Sequence, residues 1–540
     1  MSKALYTHPI LGKLKGHLVN DTLLRLSSIP YGSIPQRFGR STVRTEALFP
    51  LDNGVYDARG TILASIQPID AATIDCKGNQ FPLDSVQNFE EAQSEDCLRL
   101  NIALPASTTP ASSLPVLIFI HGGAFFLGSG GRPYYDPTHF CLQALRGERP
   151  HVLVSINYRL GALGFLHSAT NDELMPANNG LHDQLIAFEW LTHYLPGFGG
   201  DPDNITAVGQ SAGGMSLAIH NLSGKVELPW KRSIQLSGSL VTMPSTSPSD
   251  YEDTVLEKAK QLGIKTTGRR NEEVIQDMIE MPIDKVRDLA FVGLPCAPSK
   301  LLPYDQPSMK LMRKRAPTAT NVASQIVGSC TYDGGISYNL MLGDPKRKNH
   351  ANTFIEIARS VLRYPEELLE LYDIKADEED KSALRSICQL ESDIGFFAAA
   401  LAQAQGFPGK TYLLLFDLGN PFDGPLPRGD CATHTWDIVS LLGAFESRVD
   451  AEYRDVIADL RDRILTYAVD GQAPWKAWEP EVGCALLVGA EGVRMVGEEE
   501  YMGPECRRGR LLALAEKERG EDGCDVLWDE VCRRFLMKGQ

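Results

Sequence analysis

Two hydrophobic rhythms alternate along the first half of the chain. Pro115 to Ile120 (PVLIFI) and Val152 to Asn157 (VLVSIN) are short runs without polar alternation, the pattern of strands buried on both faces of a mostly parallel sheet. Gly180 to Leu195 has helical periodicity and leads into a further β-rich run, Ile205 to Val208. Strand, helix, strand in this order predicts a doubly wound α/β architecture, whose ligands sit beyond the carboxyl ends of the strands. Ser233 to Leu236, Ser324 to Cys330 and Thr411 to Phe416 are predicted as further strands. Between Pro244 and Met312 the pattern is helical and broken by prolines, as suits a cap over the sheet. The acidic stretch Asp373 to Lys381 reads as a solvated helix face, and spaced apolar residues from Glu498 onward predict terminal amphipathic helices. No shift in composition divides the chain, so residues 1–540 are expected to form a single domain.

This frame gives one glycine-flanked turn a position. VGQSAGG, residues 208–214, follows the strand Ile205 to Val208 and precedes a helical run, Ala212 to His220. Strand, sharp turn and helix are the context in which a serine, here Ser211, is presented as a nucleophile. A serine hydroxyl attacks only when a base takes its proton. Beyond Ser211 the histidines are His220, His350 and His434. His220 lies two to three turns into the helix that starts at the serine, and His350 in PKRKNH reads as an exposed loop residue. His434 follows the strand Thr411 to Phe416 on a loop and is the expected base. The acid that orients it should follow another strand, and Asp333, after IVGSCTY and before a Gly-Gly pair, does so. An oxyanion needs backbone N–H donors, one of them from the residue after the nucleophile. Gly122 and Gly123, in the glycine-rich loop that follows Ile120, and Ala212 are the expected donors.

Composition narrows the partners. The formal net charge of -16 excludes the basic footprint that nucleic acids and anionic membranes require. Eleven cysteines, an odd number, show no spacing for a metal site, so neither metal nor other cofactor is expected. The opening MSKALYTHPILGKLKGH lacks a continuous apolar segment, and no run of about 18 apolar residues occurs. A cytoplasmic location with no membrane span is expected, while the sequence leaves the oligomeric state open.

With these residues placed, the chain resembles the type-B carboxylesterase family, which includes cholinesterases and fungal lipases. The resemblance is carried by SEDCLRLNI (94–102), HGGAF (121–125), NYRLGALGFL (157–166), NNGLHDQ (178–184), FGGDPDNITAVGQSAGG (198–214), QLSGS (235–239) and DCATHTWDI around His434. It implies an α/β-hydrolase fold with helical cap insertions and a triad of Ser211, Asp333 and His434. It further implies that Ser237 lies behind the acid as its hydrogen-bond partner and that Gln210 and Phe125 border the substrate pocket. By the same resemblance Cys76 and Cys97 match an N-terminal disulfide, although a chain without a secretion signal is expected to keep them as thiols. Gln210 stands where many relatives carry Glu, and the tryptophan that cholinesterases place between the two cysteines is absent, Phe81 and Phe89 being the aromatic residues there. The expected activity is hydrolysis of neutral, mostly apolar carboxylic esters, small molecules bound without a cofactor. The N-terminal stretch LSSIPYGSIPQRF, shorter than the family's pattern, resembles intracellular fungal members, several of which serve secondary-metabolite pathways. Acyl transfer or lactone formation on the same triad is the alternative, and a non-catalytic binding protein of cholinesterase type is the contrasting class.

Overall fold

The computed structural model describes residues 2–45, 54–87, 89, 91–223, 227–289, 291–314 and 321–538. A 13-stranded sheet runs through it in the order 2–8, 12–19, 23–30, 99–105, 152–156, 114–120, 200–210, 232–236, 324–330, 410–416, 485–489, 492–496, with 55–57 pairing beside 12–19. From 152–156 to 485–489 all neighbours are parallel; the pairs outside this block are antiparallel except the short strand 55–57.

The unbroken apolar runs are explained by what lies on each side. Val116, Ile118 and Ile120 pack into one core, with Leu181, Met215 and Leu217 from the helices Asn179–Tyr194 and Ala212–Leu222. Leu117 and Phe119, alternating with them, pack into a second core on the other face with Trp436, Ile438 and Ile464. Side chains of a strand alternate in direction, so burial on both faces demands apolar residues at every position. The helices Pro248–Gln261, Asn271–Glu280 and Ile283–Arg287 bring a cluster of their own against Ala162, Leu163 and Leu166, where a cap was expected.

Three local expectations change. Asp373 to Glu379 is not a helix face: Asp373 and Asp377 have left-handed backbones (φ 53° and 60°), and the helix begins only at Asp380. His350 is buried at the start of the helix His350–Val361, its ring edge-on to Phe535. The antiparallel strands before residue 31 and the hairpin 485–496 were not foreseen; they extend the sheet at both edges. Among the described residues no helix is long and apolar enough to cross a membrane.

Candidate active site

The strand Gly200–Gln210 ends at the turn that carries Ser211, and the helix Ala212–Leu222 begins directly after it. Ser211 has φ 55° and ψ -125°, a backbone that non-glycine residues rarely hold. Surrounding contacts fix it: its N–H donates to the Leu236 carbonyl at 2.9 Å, and its own carbonyl accepts from Met215 at 2.8 Å. The neighbouring strand meets the turn closely at Gly122, where a Cβ would lie 2.9 Å from Ser211 Cβ and 2.8 Å from the Gln210 carbonyl oxygen. Any side chain there would displace the serine. After Gly122 the loop turns through positive φ at Gly123, Ala124 and Phe125 (103°, 54° and 64°). Among the described residues the N–H groups of Gly122, Gly123 and Ala124 donate to no other group, and that of Ala212 opens a helix, where the first N–H groups have no intrahelical partner.

Across the next strands stand the expected base and acid. His434 Nδ1 lies 2.7 Å from Asp333 Oδ1, with both side chains buried. The other carboxylate oxygen, Oδ2, accepts from the Cys330 N–H at 2.8 Å. The two loops are joined, since the Tyr332 N–H donates to the Ala432 carbonyl at 3.1 Å. Burial pulls the His434 pKa down most strongly, but the hydrogen bond and charge of Asp333, with Asp437 and Glu391 beyond, leave it raised above its ordinary 6.5. Ser211 Oγ makes no hydrogen bond to His434 among the described residues. The side-chain nitrogen of Gln210 stands 3.3 Å from His434 Nε2 instead.

A contact corrects the expectation for Ser237, and others describe the surroundings of Phe125, Gln210 and the two cysteines. The Ser237 hydroxyl donates to Asp437 Oδ2 at 3.0 Å, not to Asp333; it reaches the acid only through the Cys330 N–H, which lies 3.4 Å from it. Phe125 is buried in the core, and its ring lies 4.8 Å from that of Phe165. Its left-handed backbone turns it inward, and the next residue, Phe126, pairs with the exposed Phe291. Gln210 is 1% exposed, packed between Gly122 and His434. Cys76 and Cys97 are both free. They lie in the two different cores on opposite faces of the sheet, Cys76 beside Ser85 and Arg132 and Cys97 beside Ser65, Asp183 and Arg159. Burial pushes both thiols up to about 12, which leaves little thiolate for oxidation. All eleven cysteines are free, so alkylation in denaturant without reductant is expected to add eleven labels to freshly quenched protein, as read by intact mass; nine would establish a bridge.

Two carboxyl groups that sequence reasoning missed also face this region. Asp437, on the helix Trp436–Leu442, is buried and pushed up to about 6, by desolvation first and then by the Asp333 charge. Glu391, at the end of the helix Asp380–Glu391, accepts from Ser337 at 2.8 Å and is pushed up to about 8 by desolvation. Distance in sequence hid Glu391, which lies 54 residues from Ser337, 58 from Asp333 and 43 from His434; Asp437 stands three residues beyond His434, and nothing in its side chain marks it as buried.

A sequence profile of the Carboxylesterase family matches residues 11–470. The chain belongs to that family. Para-nitrobenzyl esterase of Bacillus subtilis (strain 168) is 27% identical over 508 residues, 90% of this chain and 96% of that one. Shorter matches, about a quarter of each chain, join it to Lipase 2 of Geotrichum candidum (41% identical over 137 residues) and to an "Inactive carboxylesterase-like protein VdtD" of Byssochlamys spectabilis (36% over 149). A solved PNB esterase structure superposes with a TM-score of 0.70 at 25% identity, covering 92% of this chain and 98% of that one. The fold is therefore that of the α/β-hydrolases, and the protein is a carboxylic-ester hydrolase.

In this carboxylesterase Glu391 makes stability depend on pH. Its folded pKa of about 8 lies above the ordinary 4.5, so the unfolded chain ionises first as pH rises. The folded state is then progressively disfavoured between those values, by roughly 4 kcal/mol at the upper end. Glu391→Gln is expected to melt at the wild-type temperature at pH 4.5 and a few degrees higher at pH 9, in scans at one heating rate; a variant that gains nothing at pH 9 contradicts the assignment.

Proposed function

We propose that this carboxylesterase hydrolyses neutral, predominantly apolar esters through an acyl-enzyme on Ser211. The observation that carries the reading is the convergence at one place of the Ser211 turn, the loop of unpaired N–H groups and the His434–Asp333 pair at 2.7 Å. His434 Nε2 takes the Ser211 proton as Oγ bonds to the carbonyl carbon. The carbonyl electron pair moves onto oxygen, facing the N–H groups of Gly122, Gly123 and Ala212, each worth roughly 3 to 4 kcal/mol in such sites. His434 then returns the proton to the departing alcohol, and water repeats the sequence on the acyl-enzyme. Asp333 holds the ring in the tautomer whose Nε2 is free to accept.

Selectivity against cationic esters follows from the charges on hand. Gln210 is neutral; a carboxylate in its place, roughly 5 Å from a quaternary ammonium at an effective dielectric near 20, would be worth about 3 kcal/mol before desolvation. Asp75 and Glu91, in and near the cysteine-flanked segment, are held by Arg132 at 2.6 and 3.0 Å. Phe81 is 4% exposed, walled in by Tyr134, Phe422 and Phe445, and offers no face to a cation.

The first test is uptake of a labelled fluorophosphonate, which a working Ser211 accepts and a non-catalytic relative does not. The second is kcat/KM for butyrylcholine against its uncharged 3,3-dimethylbutyl isostere. The neutral ester is expected to be favoured, and a tenfold preference for the cation sinks this reading of the pocket. The setting we propose is a secondary-metabolite pathway, tested by the ester that accumulates when the gene is deleted.

A further inference from the structure

Asp333 accepts the Nδ1–H of His434, which leaves Nε2 with its lone pair. The group beside that lone pair is the Gln210 amide, whose nitrogen lies 3.3 Å away. The other end of the same amide, Oε1, is buried without a hydrogen-bond partner. An amide so placed offers a different end to each protonation state of the ring: its N–H suits the lone pair of the neutral imidazole, and its oxygen suits the N–H of the imidazolium. Half a turn about the terminal bond exchanges the two, and Gln210 itself gains or loses no proton.

We propose that Gln210 is a positioning residue for His434, bonding Nε2 through its N–H in the neutral ring and through Oε1 in the protonated one. It holds the imidazole in line with Asp333 before the ester binds and after the product leaves, and it gives up Nε2 to Ser211 Oγ during turnover, because the one lone pair accepts from one donor at a time. This rests on His434 being the base of the proposed reaction.

The neutrality of residue 210 matters because of what else faces the ring. Asp333 does so from the loop after the strand 324–330, Asp437 from the helix 436–442 and Glu391 from the end of the helix 380–391. On the neighbouring loop, burial lowers His121 to about 3, so it adds no charge at neutral pH. A further carboxylate at 210 would accept from the imidazolium and could not donate to the neutral ring. It would hold His434 protonated and withdraw the base where the amide leaves it available.

The test reads His434 directly. The protein is labelled with [13Cε1]histidine, the His434 signal is assigned by its loss in His434→Gln, and its titration is followed in wild type, Gln210→Glu and Gln210→Met. Gln210→Glu is expected to raise the midpoint by half a pH unit or more and to move the acid limb of kcat/KM with it. Gln210→Met, uncharged and similar in volume, is expected to lower kcat fivefold or more with KM within twofold. A smaller midpoint shift in folded Gln210→Glu overturns the proposal; if that variant does not fold, a smaller loss of kcat in Gln210→Met, or a matching rise in KM, overturns it. The midpoint is read without turnover. A wild type that refuses the fluorophosphonate would therefore bring down the proposed function separately from this contact.

Discussion

Ser211→Ala is expected to abolish ester turnover, lowering kcat by about 10⁶, the loss seen when the nucleophile of a serine hydrolase is removed, while the fold stands. The structure separates the two effects. Ser211 Oγ forms no hydrogen bond among the described residues, so its removal strands no partner. The strained backbone, with φ 55°, is held by the Leu236 and Met215 hydrogen bonds and by close neighbours such as Gly122, none of which uses the hydroxyl. Alanine keeps the Cβ that sits so close to Gly122 that a Cβ added to the glycine would lie 2.9 Å from it. The melting temperature is expected within about 2 °C of wild type, since loss of an unpaired hydroxyl falls in the range of neutral substitutions. Initial rates on p-nitrophenyl butyrate, with the active fraction counted by fluorophosphonate, decide: near-wild-type rates in a fully folded variant would remove Ser211 from the mechanism.

What could be read in advance was local. The turn at Ser211 was legible because strand, small residues and helix follow one another within some fifteen residues, and the sheet strands because burial on both faces leaves no polar positions. The site residues were legible as candidates by chain order, which the α/β connectivity turns into proximity at the carboxyl ends of the strands. Side-chain direction was less accessible. Phe125 and Phe126 are chemically alike in the sequence, and only the left-handed backbone at Ala124 and Phe125 decides that the first is buried against Phe165. Ser237 has a hydroxyl able to serve either of two buried carboxyls, and which one receives it depends on how the helix carrying Asp437 packs. The first strands escaped notice because Gly12–Val19 mixes lysine, glycine and histidine with its apolar residues and pairs antiparallel near an edge. An edge strand carries a weaker hydrophobic signal than a central one.

The acid provides the second large expected effect. Asp333→Asn keeps size and shape but changes which atoms can donate. Asp333 Oδ2 accepts from the Cys330 N–H at 2.8 Å, and Oδ1 faces His434 Nδ1 at 2.7 Å. An asparagine there keeps the Cys330 bond only by turning its oxygen toward that N–H, which points its NH₂ at His434. Two donors cannot share one bond, so the ring must present the Nδ1 lone pair and carry its proton on Nε2. That is the wrong tautomer: Nε2 can no longer accept from Ser211, and the charge that stabilised the imidazolium is gone. Turned the other way, the asparagine sets its NH₂ against the Cys330 N–H and leaves that buried donor only its long 3.4 Å contact with the Ser237 hydroxyl, at about 1 to 3 kcal/mol. The former arrangement should prevail, with kcat falling by about 10⁴, the scale on which this tautomer switch acts in serine hydrolases. Fluorophosphonate uptake should slow along with turnover, because both need the deprotonated serine, while the melting temperature changes little. Labelling at the wild-type rate in Asp333→Asn would show that His434 takes its orientation from another group, and Asp437, buried nearby, would be the next carboxyl to replace.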